Sequence, residues 1–552
     1  MLGGLESQGL LTLPKQFSFS KDIEMDIIGQ KNLRTFWDEL ALCHADKVCV
    51  IGEDENGNTV EYTYGELNKE INRYANLFIA RGVAQGDKVV LQMTNTPTFL
   101  KVWFALAKIG AVMVPVNTGY IAREFDHLVK TAGATHCLCD RRFMHQWQTF
   151  IGDRKVFNNF FIADIDGQGD LGEGLDVIAL AKTQSDELTQ VRPIDPLDPV
   201  EILFTSGTTS LPKGAIITHA NLIWAGLFTA SQARLQKSDR MLTTMPNFHV
   251  DFQCNGCMPI LTVGGTLIML QRYSAHRFWE QICLHRATVT QAVPMILRTV
   301  MRQPVRAWEK NHQLREILYA LPMTDKEYHE FKARFGVDLI NSYGMTEILV
   351  GCITVLPEED RRFPSVGRAY FGYEAKLVDD EGNEVPVGAI GTFMIRGEPG
   401  KTLFKGYINN EKATRETLVG DGWLRSKDQG RRDENGVFWF VDRCIHMIKR
   451  SGENISSSEV ENVLVEHPKI IEAAVIGVPD SIRDEEVKAY VRLKEGETMT
   501  KAEVVEHCRK NLAEFKIPVF VEFREDFVRT CTGKIVKEVL KREIHDGSER
   551  LN

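Results

Sequence analysis

The sequence predicts an α/β protein: a large N-terminal domain of mostly parallel sheets flanked by helices, carrying a small β-rich subdomain, and then a small α+β domain at the C-terminus. Three observations predict it. Helical segments alternate with short apolar runs from Leu33 to about Ile340, the βαβ texture of parallel sheets covered by helices. From about Tyr343 this gives way to short β-like stretches separated by turns such as "DDEGNEVPVG", "GDGW" and "RDENGVF". At 552 residues the chain is also too long for one core, and its length asks for several domains.

Residues 1–24 carry no basic stretch followed by a long apolar core, so they are not a secretory signal and are expected to be an unstructured extension. Helical periodicity begins after Met25, in "MDIIGQKNLRTFWDELA". "TYGELNKEINRYANLFIARG" is an amphipathic helix closed by Gly82. "DKVVLQM" is a buried strand, and "FLKVWFALAKIGAVMVPVN" is a helix, a glycine stop and a second strand. The pattern recurs with a helix at "ANLIWAGLFTASQAR", a strand at "GTLIML" and a helix at "SAHRFWEQICLHR". The β-rich subdomain is expected at about 343–441, ending near "VFWFVDR". After Arg443, "SSSEVENVLVEHP", "IIEAAVIGV", "EEVKAYVRL" and "KAEVVEHCRKNL" form a compact α+β unit. The expected division is therefore 1–24, 25–441 and 442–552, with a hinge near 443–445.

Composition narrows the function. A net charge of −9 and a pI near 5.9 give no electrostatic footprint for nucleic acid. No apolar run approaches the roughly 18 to 20 residues of a membrane span. The cysteines number 11, an odd count without framework spacing, which reads as reduced thiols in a cytoplasmic protein. Cys254-x-x-Cys257 lacks a second ligand pair and reads as structural.

"FTSGTTSLPKGAIITHAN" (Phe204 to Asn221) gathers hydroxyls and glycines around Lys213. Such a composition suits a polyphosphate, because hydroxyls and backbone N–H groups accept its charge and the lysine adds a point cation; it also suits an ordinary turn. It is not a Walker A loop, since Pro212 stands where the glycine before the lysine belongs.

"TSGTTSLPKG" (Thr205–Gly214) resembles the phosphate loop of the adenylate-forming superfamily of acyl-CoA synthetases, adenylation domains and luciferases. The resemblance recurs in that family's order: "PNFH" (Pro246–His249), "NSYGMTE" (Asn341–Glu347), "GTFMIRG", "DGWLRSKDQG", "DRCIHMIKRSGEN" and "TCTGKIVK". It implies that a carboxylic acid, ATP and coenzyme A are the partners, with Mg²⁺ as the metal, an acyl-adenylate as the intermediate and a thioester as the product. It also implies that the C-terminal domain is mobile.

The resemblance assigns roles. Thr205, Ser206, Gly207, Thr208, Thr209 and Lys213 would hold the β- and γ-phosphates. Tyr343 would lie along the adenine, with Asn341 or Ser342 on its amino edge and Gly344 in the same nucleotide segment. Thr346 would touch the α-phosphate and Glu347 would ligate Mg²⁺, a hard ion suited to one carboxylate plus phosphate oxygens. Asp428 would take the ribose hydroxyls, with Arg443 beside it. Lys534 would bridge the substrate carboxylate and the α-phosphate. Rotation of the small domain would then replace the Lys534 loop with the Ser451–Asn454 loop, where Gly452 lets the pantetheine arm pass. His249 would gate the tunnel, or else be a packed histidine.

Four places depart from the family pattern: "ALPMT" (Ala320–Thr324) at the adenine wall, Ser426-Lys427 before the ribose aspartate, Ile445 at the hinge, and Val528 near the C-terminal lysine.

The acid pocket is expected to draw on Phe248 to Met258, the segment near Val293-Pro294 and the residues after Glu347. Asp251, among Phe248, Phe252 and Trp224, is either a helix cap or the anion that holds a quaternary ammonium. Stretches including "MDIIG", "RYSAHRFWEQ", "FHVDFQC" and "DSIRDEEVKAYV" resemble the crotonobetaine/carnitine–CoA ligases, which implies carnitine, crotonobetaine or γ-butyrobetaine as the acid. A fatty or aromatic acyl-CoA synthetase, a ligase loading a carrier protein and a nucleotide-binding relative without turnover are the alternatives. The sequence leaves open whether the chain forms a homo-oligomer.

Overall fold

The computed structural model describes residues 27–543 except 121, 153–154, 168, 206–211, 321–322, 359–361, 444–446, 451–452, 481–483, 513 and 530–533. It describes only the backbone at 122–124, 442–443, 447, 449, 453–454, 456, 484 and 515.

The architecture is α/β. A nine-stranded sheet is built on the parallel strands Val48–Glu53, Thr266–Leu270, Arg240–Thr243, Val289–Ala292, Glu316–Ala320 and Asp338–Tyr343, with antiparallel strands at both edges. An eight-stranded sheet centres on Val112–Pro115, Lys88–Gln92, His136–Asp140 and Asn159–Ala163, all parallel. It continues through Pro199–Thr205 into the hairpin partner Lys213–Thr218, which pairs antiparallel with it. A four-stranded antiparallel sheet (Glu374–Val378, Ile390–Arg396, Trp423–Arg432, Phe438–Arg443) follows.

Local rules explain the helices that carry these sheets. Tyr64–Ala80 starts from a capping box, Thr63 and Glu66 satisfying each other's backbone N–H groups, and the chain leaves it through Gly82 at φ 79°. Pro97–Ile109 opens with proline and ends at Gly110 in the left-handed region; it is buried on every side, as a helix between two layers must be. Its buried Lys108 ammonium is met by Asp38, by Asn68 at 2.7 Å and by Asn72 at 3.0 Å, and burial still pulls its pKa down. His219–Gln232 begins at another capping box, Thr218 with Asn221.

Two expectations need correction. The β-rich sheet begins at Glu374, not near 343, because the short strands Ile353–Thr354 and Arg368–Ala369 pair onto the end of the nine-stranded sheet, Ile353 opposite Tyr343. The helix read in "SAHRFWEQICLHR" spans only Phe278–Leu284, since the Ser274 carbonyl accepts from both Arg277 and Phe278 and makes the first residues a turn.

Residues 448–540 bury apolar clusters of their own, around Ile448, Leu464, Val475 and Val504 on one face of a five-stranded sheet and around Tyr490, Phe527 and Leu540 on the other. Among the described residues no helix is long and apolar enough to cross a membrane.

Candidate active site

Among the expected site residues, Thr205, Lys213 and Tyr343 sit at strand ends, and Asp428 lies within the strand Trp423–Arg432. Thr205 ends one strand and Lys213 begins the next; the two are direct partners in register, with the Thr205 hydroxyl 3.4 Å from the Lys213 carbonyl. His127 Nε2 lies 2.8 Å from the Pro212 carbonyl, so this hairpin is anchored at the residue that departs from a Walker loop. The Lys213 ammonium sits 5.0 Å from the centroid of the Tyr407 ring. Ser206, Gly207, Thr208 and Thr209 lie outside the described residues.

The strand Asp338–Tyr343 delivers the second segment. Asn341 is buried and donates to the carbonyls of Ser365 at 2.8 Å and Pro364 at 3.3 Å, while its Oδ1 is buried without a hydrogen-bond partner. A buried acceptor in that condition suits an exocyclic amino group such as adenine's. Ser342 Oγ lies 3.4 Å from the Tyr319 carbonyl. Tyr343 is stacked on Phe393 at 4.4 Å and donates to Asp428 Oδ2 at 3.0 Å. Gly344 is required by the chain itself: a Cβ there would stand 2.1 Å from the Val350 carbonyl oxygen. Thr346 is partly buried, in the turn whose Leu349 is held at φ 73°, a left-handed conformation unusual for leucine.

Asp428 is buried, and its backbone N–H donates to Ser426 Oγ at 3.1 Å. Strand alternation puts Ser426 and Asp428 on the inner face and the exposed Lys427 on the other, so the Lys427 side chain projects from the opposite face of the strand. Asp428 and Arg443 are register partners across the antiparallel pair; the Arg443 side chain, like Gly452, lies outside what is described.

Glu347 is only 5% exposed and accepts from the Tyr407 hydroxyl at 2.5 Å. Tyr407 is absent from the motif reading. Its importance depends on the pairing of Gly406–Tyr407 with Lys213–Thr218, which sequence spacing does not disclose. Among the described residues no group of three or more His, Cys, Asp or Glu converges on one point. Glu347 is the carboxylate this cluster offers a metal, beside the loop expected to hold phosphates, and that donor set fits Mg²⁺.

In the third group, the His249 Nδ1 accepts from the Asp251 N–H at 3.2 Å. Burial, and then the nearby charge of Lys534, push the imidazole down to about 4, so it is neutral at pH 7. The exposed Lys534 thus approaches "PNFH" across more than half the chain.

Asp251 is not a helix cap. Val250 holds the cap position of the π-helical turn Asp251–Cys257 and makes no side-chain cap bond. The Asp251 carboxylate instead accepts from Gln291 Nε2 at 3.1 Å and Asn255 Nδ2 at 3.2 Å, while Gln291 also holds the Asp251 carbonyl at 2.7 Å. Thr243 fixes Gln291 by donating to its Oε1 at 2.7 Å. Burial pushes the Asp251 carboxyl up to about 6 despite these donors. The partly buried Val293 follows Gln291 by two residues, and Phe248 is also partly buried. Phe252 and Trp224 turn elsewhere: Phe252 is edge-on to Phe99 at 5.9 Å, and Trp224 packs on Phe371 and Tyr373. Cys254 and Cys257 are buried free thiols.

A model of the AMP-binding enzyme family matches residues 37–408, and a model of the AMP-binding enzyme C-terminal domain matches residues 459–534. A crotonobetaine/carnitine–CoA ligase of Escherichia coli O157:H7 is 44% identical over 518 residues, covering 94% of this chain and 100% of that protein. ATP-bound MatB from Rhodopseudomonas palustris superposes with a TM-score of 0.84 at 27% identity, over 94% of this chain and 99% of that one. The anthranilate CoA ligase AuaEII in complex with anthranoyl-AMP gives 0.85 at 25% identity, over 93% and 97% of the two chains.

Proposed function

The chain belongs to the AMP-binding enzyme family, and from that premise we propose that it joins a small trimethylammonium acid of the carnitine, crotonobetaine or γ-butyrobetaine type to coenzyme A. The reaction class is an AMP-forming, ATP-dependent acid–CoA ligation. The observation that carries the choice of acid is Asp251. Its partly buried carboxylate is oriented by two side-chain amides, next to His249 and on the segment expected to line the acid pocket. A fixed negative charge in such a place favours a cationic group on the substrate and disfavours an alkyl chain. The Escherichia coli relative's name points to the same class of acid.

In the first half-reaction an oxygen of the substrate carboxylate attacks the α-phosphorus and the bond to pyrophosphate breaks. There is little covalent work for the protein, so its residues position groups and balance charge. Lys213 faces the β- and γ-phosphates. Glu347 would hold Mg²⁺, which when bound would supply charge neutralisation at the phosphate oxygens. Asp428, held by Tyr343, accepts the ribose hydroxyls. Lys534 lies between the two anions as they join; a neutral His249 adds no second positive charge beside it.

In the second half-reaction the coenzyme A sulfur attacks the acyl carbonyl, its proton leaves, and AMP departs as the acyl–oxygen bond breaks. A lysine between carboxylate and phosphate obstructs that approach, and the separate core of residues 448–540 suits a small domain that turns as a body; the expected hinge residues 444 and 445 lie outside the described residues. The described cysteines are free thiols, which suits a cytoplasmic enzyme.

Pyrophosphate release and thioester formation with carnitine, crotonobetaine, octanoate and a cinnamate test the choice of acid. The two betaines should lead in kcat/KM. Preference for octanoate would reassign the chain to fatty acids.

A further inference from the structure

The segment 404–408 ties the lysine of the phosphate loop to the carboxylate of Glu347. Gly406–Tyr407 pairs with the strand Lys213–Thr218, Tyr407 opposite Ala215, and the Ile408 N–H donates to the Gly214 carbonyl at 2.8 Å. The Tyr407 N–H donates to Thr414 Oγ1 at 2.9 Å, and the Phe404 N–H donates to the Glu347 carbonyl at 3.0 Å. The backbone is therefore fixed on both sides. From it one side chain reaches two charges. The Tyr407 ring lies 5.0 Å below the Lys213 ammonium, and its hydroxyl donates to Glu347 Oε1 at 2.5 Å.

Tyrosine is suited to that place. A ring face attracts a cation through its quadrupole, and a phenol donates a strong bond to a carboxylate. It has two side-chain torsions to fix, where a lysine or arginine doing similar work would have four. Both Tyr407 and Glu347 are buried, so the bond is made where water competes little.

We propose that Tyr407 is a positioning residue for the first half-reaction: it aims the Glu347 carboxylate at the divalent ion and seats Lys213 against the polyphosphate. This rests on the reading of Glu347 as the metal ligand and Lys213 as the phosphate cation. The alternative is a tyrosine that merely packs the strand.

The test is ATP binding by calorimetry, with Mg²⁺ and with EDTA, in the wild type, Tyr407→Phe, Glu347→Gln and the double variant. Tyr407→Phe keeps the ring and loses the hydroxyl. It should weaken binding about tenfold with Mg²⁺ and less than about twofold in EDTA, as expected for one hydrogen bond to a charged group. In the Glu347→Gln background it should add nothing further. The Mg²⁺ concentration for half-maximal pyrophosphate exchange should rise about tenfold, with kcat at saturating Mg²⁺ within about threefold of the wild type. Tyr407→Leu, which also removes the ring from Lys213, should weaken binding in EDTA as well.

Equal weakening in both media, or full additivity with Glu347→Gln, would make Tyr407 a packing residue and overturn the proposal while leaving Glu347 as the ligand. If Glu347→Gln itself kept the wild-type response to Mg²⁺, the reading of Glu347 would fall and the proposal with it. Should Tyr407→Phe not accumulate as folded protein, Thr414→Val, which loosens the tyrosine through its backbone N–H, carries the same comparison with the same expected direction.

Discussion

The hydroxyl of Tyr343 donates to Oδ2 of Asp428 at 3.0 Å, across 85 positions of sequence and from the last residue of one sheet strand to the inner face of another sheet. It fixes the orientation of the buried carboxylate proposed to receive the two ribose hydroxyls. Phe393 and Phe440 stack along the tyrosine ring and keep it there.

Removing only that hydroxyl tests the arrangement. Tyr343→Phe should raise the KM for ATP about five- to tenfold and change kcat less than about threefold, since a hydrogen bond to a charged group contributes about 1.5 to 3 kcal/mol and part of it is regained by water. Initial rates of pyrophosphate exchange at varied ATP measure both. An unchanged KM would mean that Asp428 orients itself.

Lys534→Ala separates the half-reactions. Loss of the cation proposed to sit where charge gathers should slow adenylation by about 10² to 10³-fold. Conversion of a synthetic acyl-adenylate to the thioester should stay within about threefold of the wild type, because in the proposed rotation the lysine leaves before the thiol arrives. Comparable loss in both steps would contradict the domain rotation.

The proposed pairing of Asp251 with a cationic acid would make recognition pH-dependent. The Asp251 carboxyl is pushed up to about 6 by burial, so above pH 6 the charged form dominates and below it the charge is lost. The KM for carnitine or crotonobetaine should therefore rise about tenfold for each pH unit below 6, and the slope should vanish in Asp251→Asn. At pH 7.5 that variant should bind the betaines about 10- to 100-fold less well and octanoate no worse.

Stability moves the other way at two acids, the buried Glu201 and the partly buried Asp251. Glu201 is fully buried, neither carboxylate oxygen has a hydrogen-bond partner among the described residues, and burial pushes it up to about 8 with Gln253 beside it. The folded state keeps this proton where the unfolded state gives it up, so stability falls as pH rises from the ordinary glutamate range to about 8 and is flat beyond. Glu201→Gln should raise the melting temperature by a few degrees at pH 8 and leave it unchanged at pH 4.5. Asp251→Asn should show the same sign over a window ending near pH 6, a gain in stability set against a loss of recognition.

How much of the site was legible depended on distance along the chain. Tyr343, Thr346 and Glu347 share one strand end and turn, and Thr205 and Lys213 share one hairpin, so short motifs located them together. Ser426-Lys427 departs from the family pattern just before Asp428, but two-residue strand alternation sends the Lys427 side chain to the other face. Asp251 was open between a cap and a ligand because its partner Gln291, 40 positions on, is named by no motif. Tyr407 was missed for the same reason: it meets Glu347 at a separation of 60.

The sequence by itself determined the order of elements, the α/β class and the reaction, because periodicity, caps and short motifs are properties of neighbouring residues. Only the tertiary structure decided which distant side chains share a hydrogen bond, which strand face a charge occupies and which carboxyls are held out of water. Those depend on where separate sheets end relative to one another, and no local pattern encodes that.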